Sequence, residues 1–153
     1  MDVCPCTSCE RSEIPPKVLA SGSGEICRRI NVISIHCSDS DYPAHDNLET
    51  ITKWHIERGF KGCGYHFVIT KDGTAHHARS LQKIPAAVKG FNKNMIAICL
   101  TGKNIFSPKQ LSSAKSLINC LCYDLKIPTK NVHGHNHWDK NKTCPNFDIK
   151  LVL

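Results

Sequence analysis

The sequence predicts a mixed α/β domain in which a central β-sheet is flanked by helices. Two observations carry this prediction. Short runs of β-branched and apolar residues, typical of buried strands, alternate along the chain with longer segments whose apolar residues recur every three or four positions. The longer segments are typical of amphipathic helices, and strands that alternate with helices favour a sheet covered by helices.

Three segments predict strands. Residues 30–38, INVISIHCS, are β-branched and apolar and end in a polar His-Cys-Ser tip. Residues 64–79, GYHFVITKDGTAHHAR, predict a hairpin, with Lys-Asp-Gly as the turn between two strands. Residues 94–102, NMIAICLTG, predict another short buried strand.

Two segments predict helices. Residues 45–60, HDNLETITKWHIERGF, place apolar residues at three- and four-residue steps, and either Asp46 or Asn47 can cap the N-terminus. Residues 107–125 give the strongest helix signal, because Ser107 suits the N-cap and a proline follows at the first helical position. We expect the segment 129–138 to be a loop.

The first 26 residues have a different composition from the rest. Cys4, Cys6 and Cys9 lie close together and are followed by the Pro- and Gly-Ser-containing stretches IPPK and SGSGE. We therefore expect residues 1–26 to be an extended lead-in and residues 27–153 to be the domain. Three thiols without an obvious fourth ligand favour free thiols over a metal site.

Composition and charge limit the function classes. The net charge of +7 favours an anionic partner, either nucleic acid, an acidic membrane face or a cell-wall polymer. The lysines are scattered, without the dense basic run of a nucleic-acid tail, and no apolar run reaches the roughly 18 residues of a membrane span. Because no signal peptide is visible, we expect a chain made in a reducing cytoplasm, with most of its ten cysteines buried as small hydrophobes.

Residues 133–147, HGHNHWDKNKTCPNF, concentrate metal-ligand side chains in a short segment. Histidine nitrogen and thiolate sulfur are ligands that zinc prefers. His135 and Cys144 lie in this segment, and His36 lies at the end of the first predicted strand. Two histidines and one thiolate would leave a fourth coordination position for water, which is typical of catalytic zinc. The alternative for each residue alone is a solvated loop or a hydrogen-bonded histidine.

The order of several segments resembles a known family. These segments, in chain order, are ISIHCSDS, ITKWHIERGFKGCGYHFVITKDGTAHHAR, AAVKGFNKNMIAICLTG, FSPKQLSSAKSLI and VHGHNHWDKNKTCPNFD. The set resembles the amidase-2 family of zinc-dependent N-acetylmuramoyl-L-alanine amidases, above all the bacteriophage lysozyme-type amidases, with animal peptidoglycan recognition proteins as relatives. The resemblance covers about residues 30–149 and implies the fold of that family.

The resemblance implies a role for particular residues. His36, His135 and Cys144 match the zinc ligands, whereas Tyr65 and Lys142 match the catalytic tyrosine and lysine. A phenol and an ammonium near the metal can both donate to the oxyanion that forms when an amide carbonyl is attacked.

The predicted substrate-binding residues are Asn92, Arg79 and His77. Asn92 either hydrogen-bonds substrate or shapes its turn. Arg79 matches a family position, and one of the histidines beside it could line the groove. Phage members often carry a histidine in the segment before Gly-x-Asn, where this chain has Ala86 and Ala87.

The spacing of the last two ligands departs from the family. The stretch from His135 to Cys144 is one residue longer than usual and contains a competing His137. We favour His135 as the ligand, because Gly-His is the local motif, and keep His137 as the alternative.

The prediction is therefore a monomeric zinc amidase that cuts the bond between N-acetylmuramic acid and the L-alanine of peptidoglycan. It acts on the anionic cell wall after release or delivery by a route other than a signal peptide. The alternative is a recognition protein on the same fold that binds peptidoglycan without cutting it. A nucleic-acid-binding zinc module is disfavoured, because the chain lacks paired ligands at finger spacing.

Overall fold

The structure, a computed structural model, describes residues 26 and 28–153. Cys4, Cys6 and Cys9 of the predicted lead-in lie outside the described residues. In chain order the helices and strands are β1 (Val32–Cys37), α1 (Leu48–Glu57), β2 (Phe67–Ile69), β3 (Ala75–His77), β4 (Met95–Leu100), α2 (Pro108–Leu125) and β5 (Val132–Gly134). Within this described part, no helix is both long enough and apolar enough to cross a membrane.

The strands form one mixed sheet in the order β3-β2-β4-β1-β5. Strand β1 is parallel to both β4 and β5, and β2 is parallel to β4. The predicted hairpin is the antiparallel pair β2–β3. The predicted α/β fold class is confirmed. Strand β5 lies where a loop was predicted, because three residues that include His133 and Gly134 carry little strand signal and the pairing with β1 decides their conformation.

Local capping explains where the helices begin. Asn47 caps α1, and its side chain accepts a hydrogen bond from the backbone N–H of Thr50. Asp46, the other candidate cap, instead accepts hydrogen bonds from the Lys71 N–H at 2.9 Å and the Thr101 hydroxyl at 2.6 Å. Helix α2 begins after Ser107, as predicted, and is closed by a reciprocal capping box with the side chain at its third position.

The sheet has one apolar face and one partly polar face. Ile33 and Ile35 of β1 belong to the large core that includes the buried side of α2. Ser34 and His36 alternate with them, as expected for a strand, and are 0% and 1% exposed. The partly polar face is covered by α1, with Ile51 in a smaller core. We call these the α2 face and the α1 face.

Candidate metal centre and active-site cleft

Three predicted ligands converge at the end of β1. The ligand atoms of His36, His135 and Cys144 all lie within 4.8 Å of one another. The Cys144 Sγ is 3.8 Å from the His36 Nδ1, and the ring centroids of His36 and His135 are 4.9 Å apart. The convergence follows from topology, because β1 and β5 are parallel neighbours and their carboxyl ends meet at one edge of the sheet.

The His36 ring is held in the form that binds a metal. Its Nε2 lies 2.8 Å from the Ser34 Oγ, and the Ser34 hydroxyl itself donates to the Ile96 carbonyl. The Nε2–H therefore donates to Ser34, which leaves the lone pair of Nδ1 facing Cys144. Burial, assisted by the neighbouring His135, lowers the pKa of His36 to about 3, so the ring is neutral at neutral pH.

The structure brings His135, not His137, to this cluster. The two histidines lie in a 3₁₀ turn that directly follows β5, and the His137 ring stacks on His133 with centroids 3.8 Å apart. The turn packs tightly against the Cys144–Pro145 loop. A Cβ on Gly134 would come within 2.5 Å of the Pro145 Cδ, so only glycine fits there.

Cys144 is tied into the sheet by the backbone. Its Sγ accepts a hydrogen bond from the Cys37 N–H at 3.2 Å, and its carbonyl accepts from the Asn136 N–H at 3.0 Å. Contact with the Cys37 thiol, together with burial, raises the pKa of the Cys144 thiol. A bound cation would reverse this effect and stabilise the thiolate. Two neutral imidazoles and this thiol therefore form a group that could hold a metal ion.

The cluster lies beside a cleft of about 690 Å³. Tyr65 and Lys142, the predicted catalytic residues, both line the cleft. The Tyr65 ring centroid is 5.1 Å from that of His36, and burial raises the pKa of the phenol, so it keeps its proton at neutral pH. Lys142 is exposed, and its charge, after burial, contributes to a lowered pKa of His135.

The predicted substrate-binding residues do not all reach the cleft. Asn92 lines it, and its Oδ1 accepts hydrogen bonds from the N–H groups of Ala87 at 3.0 Å and Val88 at 2.8 Å, so the side chain shapes the cleft wall. The two other candidates are not brought there. His77 packs on Phe67 with ring centroids 5.4 Å apart, because β3 is the far edge of the sheet and two strands separate it from β1.

Arg79 is not among the residues that line the cleft. Its guanidinium donates to the Cys63 carbonyl at 2.9 Å and is partly buried. A family position alone cannot distinguish such a supporting contact from a contact with substrate, because both favour an arginine in the same stretch of chain.

Several residues that line the cleft have no signal in the sequence. His55 of α1 is buried, accepts a hydrogen bond from the Gly64 N–H at 2.8 Å, and lies 5.1 Å from Tyr65 between ring centroids. Its helical spacing indicated only a buried helix face. Arg58 and Lys89 also line the cleft and, with Lys142, give it three cationic side chains. They come from distant segments, which no local pattern connects.

Comparisons with known proteins agree with this geometry. Residues 27–147 match the family model described as N-acetylmuramoyl-L-alanine amidase. The endolysin of Escherichia phage T7 is 32% identical over 128 residues, which are 78% of this chain and 83% of that protein. The solved structure of the N-acetylmuramoyl-L-alanine amidase LysC from Clostridium intestinale superimposes with a TM-score of 0.73 at 25% identity, covering 84% of this chain and 85% of LysC.

A second structural relative comes from an animal. Drosophila PGRP-LB superimposes with a TM-score of 0.64 at 26% identity, covering 77% of this chain and 75% of that one. The predicted resemblance, the predicted fold and the predicted amidase function are confirmed by these matches. The chain belongs to the N-acetylmuramoyl-L-alanine amidase family.

Proposed function

We propose that this chain hydrolyses the amide between the lactyl group of N-acetylmuramic acid and the L-alanine of peptidoglycan, using zinc held by His36, His135 and Cys144. The observation that carries the proposal is the convergence of these three ligand atoms within 4.8 Å beside a cleft of about 690 Å³. Membership of the amidase family supports the reaction, and the donor set supports the metal.

The three side chains suit zinc by number and by type. Two imidazole nitrogens and one thiolate sulfur leave a fourth position open toward the cleft, as in catalytic zinc sites. Zinc bound there would polarise the amide carbonyl and make a water molecule nucleophilic at neutral pH. The Ser34 hydroxyl orients the His36 ring through the 2.8 Å hydrogen bond to Nε2, as outer hydrogen-bond partners commonly do for metal-binding histidines.

Tyr65 and Lys142 would stabilise the negative charge that develops on the carbonyl oxygen. Tyr65 keeps its phenolic proton because burial raises its pKa, so the hydroxyl can donate a hydrogen bond to the oxyanion. The Lys142 ammonium lies on the exposed rim, where it can reach a substrate already bound in the cleft. Both groups act most strongly on the transition state, where the oxygen carries most charge.

The charge of the cleft suits the chemistry of the stem peptide. Arg58, Lys89 and Lys142 line it, with Asp39 as the single acidic residue among the lining residues. Stem peptides carry free carboxylates, so these cations favour binding of the leaving peptide. The attraction should weaken as salt is added, because exposed charges are screened.

The decisive experiment is analysis of the products that purified protein releases from peptidoglycan. The wild-type chain should release stem peptides with a free L-alanine amino group and contain about one zinc per chain. Cys144→Ala should lose both the zinc and the product. Cys120→Ala is the matched control, because Cys120 lies half-buried on α2, across the sheet from the cleft.

Two results would contradict the proposal. Zinc-loaded wild-type protein that binds peptidoglycan without releasing peptide would favour the recognition protein instead. Full activity of Cys144→Ala, or of wild-type protein after a chelator has removed all metal, would exclude the proposed metal centre.

A further inference from the structure

A second pocket is lined by aromatic rings. His133 and His137 stack with ring centroids 3.8 Å apart and planes 7° apart, and Trp138 meets both rings edge-on at 5.7 and 5.0 Å. Phe91 lies 6.4 Å from Trp138 between ring centroids and is 52% exposed. We call the space beside these four residues the aromatic pocket; its volume is about 420 Å³.

The polar groups of the aromatic pocket are almost all uncharged. Three asparagines, Asn31, Asn94 and Asn131, line it, and Lys93 is the only charged side chain in its lining. The Asn131 amide donates to the Asn31 carbonyl at 2.9 Å, which orders one wall. Side-chain amides both donate and accept hydrogen bonds, as hydroxyl and acetamido groups require. The lining therefore suits a neutral polar ligand better than a peptide carboxylate.

The aromatic pocket shares two chain segments with the cleft. Lys89 and Asn92 line the cleft, whereas Gly90 and Phe91 between them line the aromatic pocket. The segment 133–137 divides in the same way: His135 lines the cleft, whereas His133 and His137 line the aromatic pocket. A polymer bound in the cleft can thus extend over residues 89–92 into the adjoining space.

We propose that the aromatic pocket is a subsite for a further N-acetylated sugar of the glycan strand whose muramic acid unit lies in the cleft. The proposal rests on the proposed amidase function, since it takes the glycan as the polymer. A sugar ring presents a face of C–H groups, which packs on the electron-rich face of an aromatic ring, while its hydroxyl and acetamido groups lie at the edge. Exposed Phe91 with Trp138 supplies the rings, and the asparagines supply the edge contacts.

The first test is direct binding of a glycan that lacks peptide. Chitotetraose, an uncharged oligomer of N-acetylglucosamine, is titrated into isotope-labelled zinc-loaded protein while the Trp138 indole N–H resonance is followed by NMR. The resonance should shift saturably, and Phe91→Ala should weaken the binding about fivefold. Ile105→Ala, which removes a side chain that is 66% exposed elsewhere, is the matched control and should bind as the wild type does.

The second test separates the glycan from the peptide. The ratio of kcat/KM on polymeric peptidoglycan to kcat/KM on N-acetylmuramoyl-pentapeptide, which has one sugar, should fall about fivefold in Phe91→Ala and stay constant in Ile105→Ala. If neither substrate is cleaved by wild-type protein, the amidase proposal fails while the sugar titration still tests the aromatic pocket.

The inference is overturned if chitotetraose leaves the Trp138 resonance unmoved. It is also overturned if Phe91→Ala binds chitotetraose as the wild type does, because the exposed ring would then make no contact with the sugar. Equal losses on the polymeric and the single-sugar substrates would likewise exclude a separate glycan subsite.

Discussion

The two faces of the sheet use the same strands for different purposes. On the α2 face, β1 contributes Ile33 and Ile35 to the large hydrophobic core. On the α1 face, the alternating residues Ser34 and His36 are just as buried but lead to the ligand cluster. One face supplies stability through burial of apolar area, and the other holds polar groups in fixed positions at the cost of that burial.

Two buried histidines differ in how their ring nitrogens are used. His66 uses both ring nitrogens internally: Nδ1 accepts from the Ala97 N–H at 3.1 Å and Nε2 lies 2.8 Å from the Lys83 carbonyl. His36 uses only Nε2 internally and directs Nδ1 to Cys144. Burial with both nitrogens satisfied indicates a structural role, whereas a buried ring with one lone pair facing a thiol could accept a metal ion, as proposed for His36.

The largest expected effect is on activity at the α1 face. His36→Ala should remove zinc and reduce amide hydrolysis by about a thousandfold or more, because a ligand of the proposed metal is lost. Zinc content and initial rates on peptidoglycan measure this effect. If His36→Ala keeps its zinc and more than a tenth of the activity, the α1 face does not carry the proposed metal centre.

The neighbouring residue on the α2 face should behave in the opposite way. Ile35→Ala leaves a cavity in the large core and should lower the free energy of unfolding by about 3 kcal/mol. Denaturant unfolding measures the loss. At a temperature where the variant is still folded, its zinc content should match that of the wild type. Loss of zinc from folded Ile35→Ala would contradict the assignment of stability to the α2 face and of the metal centre to the α1 face.

The supporting histidine should make stability depend on pH. Burial lowers the pKa of His66 from 6.5 to about 4. Between these values the unfolded chain binds a proton at this position that the folded chain does not bind. The contribution of the neutral His66 ring to the free energy of unfolding is constant above pH 6.5, and it is lost as the pH falls toward about 4. The loss amounts to roughly 3 kcal/mol at about 1.36 kcal/mol per pKa unit.

The substitution His66→Gln isolates this contribution. The variant should be less stable than the wild type at pH 7, and the difference between the two should shrink as the pH falls from 6.5 to 4. Denaturant unfolding at several pH values measures both curves. Parallel curves for wild type and variant would show that another group causes the acid sensitivity.

A smaller effect is expected for Ser34, the β1 residue whose hydroxyl supports the His36 ring. Ser34→Ala removes the hydroxyl that accepts from the His36 Nε2–H, and should weaken zinc binding about tenfold to a hundredfold. Competition with a chromophoric chelator measures the affinity directly. Ser34→Thr, which keeps a hydroxyl, should recover part of the loss; equal affinity in Ser34→Ala and wild type would exclude the positioning role.

The smallest effect belongs to a helix cap on the α2 face. Ser107→Ala opens the capping box of α2 and should cost about 1 kcal/mol of unfolding free energy. Activity per folded molecule should be unchanged, because Ser107 is not among the residues that line the cleft. A change in zinc affinity in this variant would show that the two faces are coupled.

Local patterns in the sequence determine much of the fold. The β-branched and apolar run INVISIHCS predicted β1, and the Ser107-Pro108 pair marked the start of α2. The convergence of His36, His135 and Cys144 was expected from the family resemblance, which left His137 open as the alternative to His135. Each of these signals depends on residues that are close in sequence or on a motif as a whole.

The tertiary structure alone decided which histidine faces the cluster and which cations line the cleft. His135 and His137 are two residues apart in a turn, so their directions depend on packing against the Cys144–Pro145 loop and on the space left at Gly134. Arg58 and Lys89 belong to separate segments and meet only in the folded chain. Side-chain direction at a turn and proximity across the chain are set by long-range packing, which a local pattern does not encode.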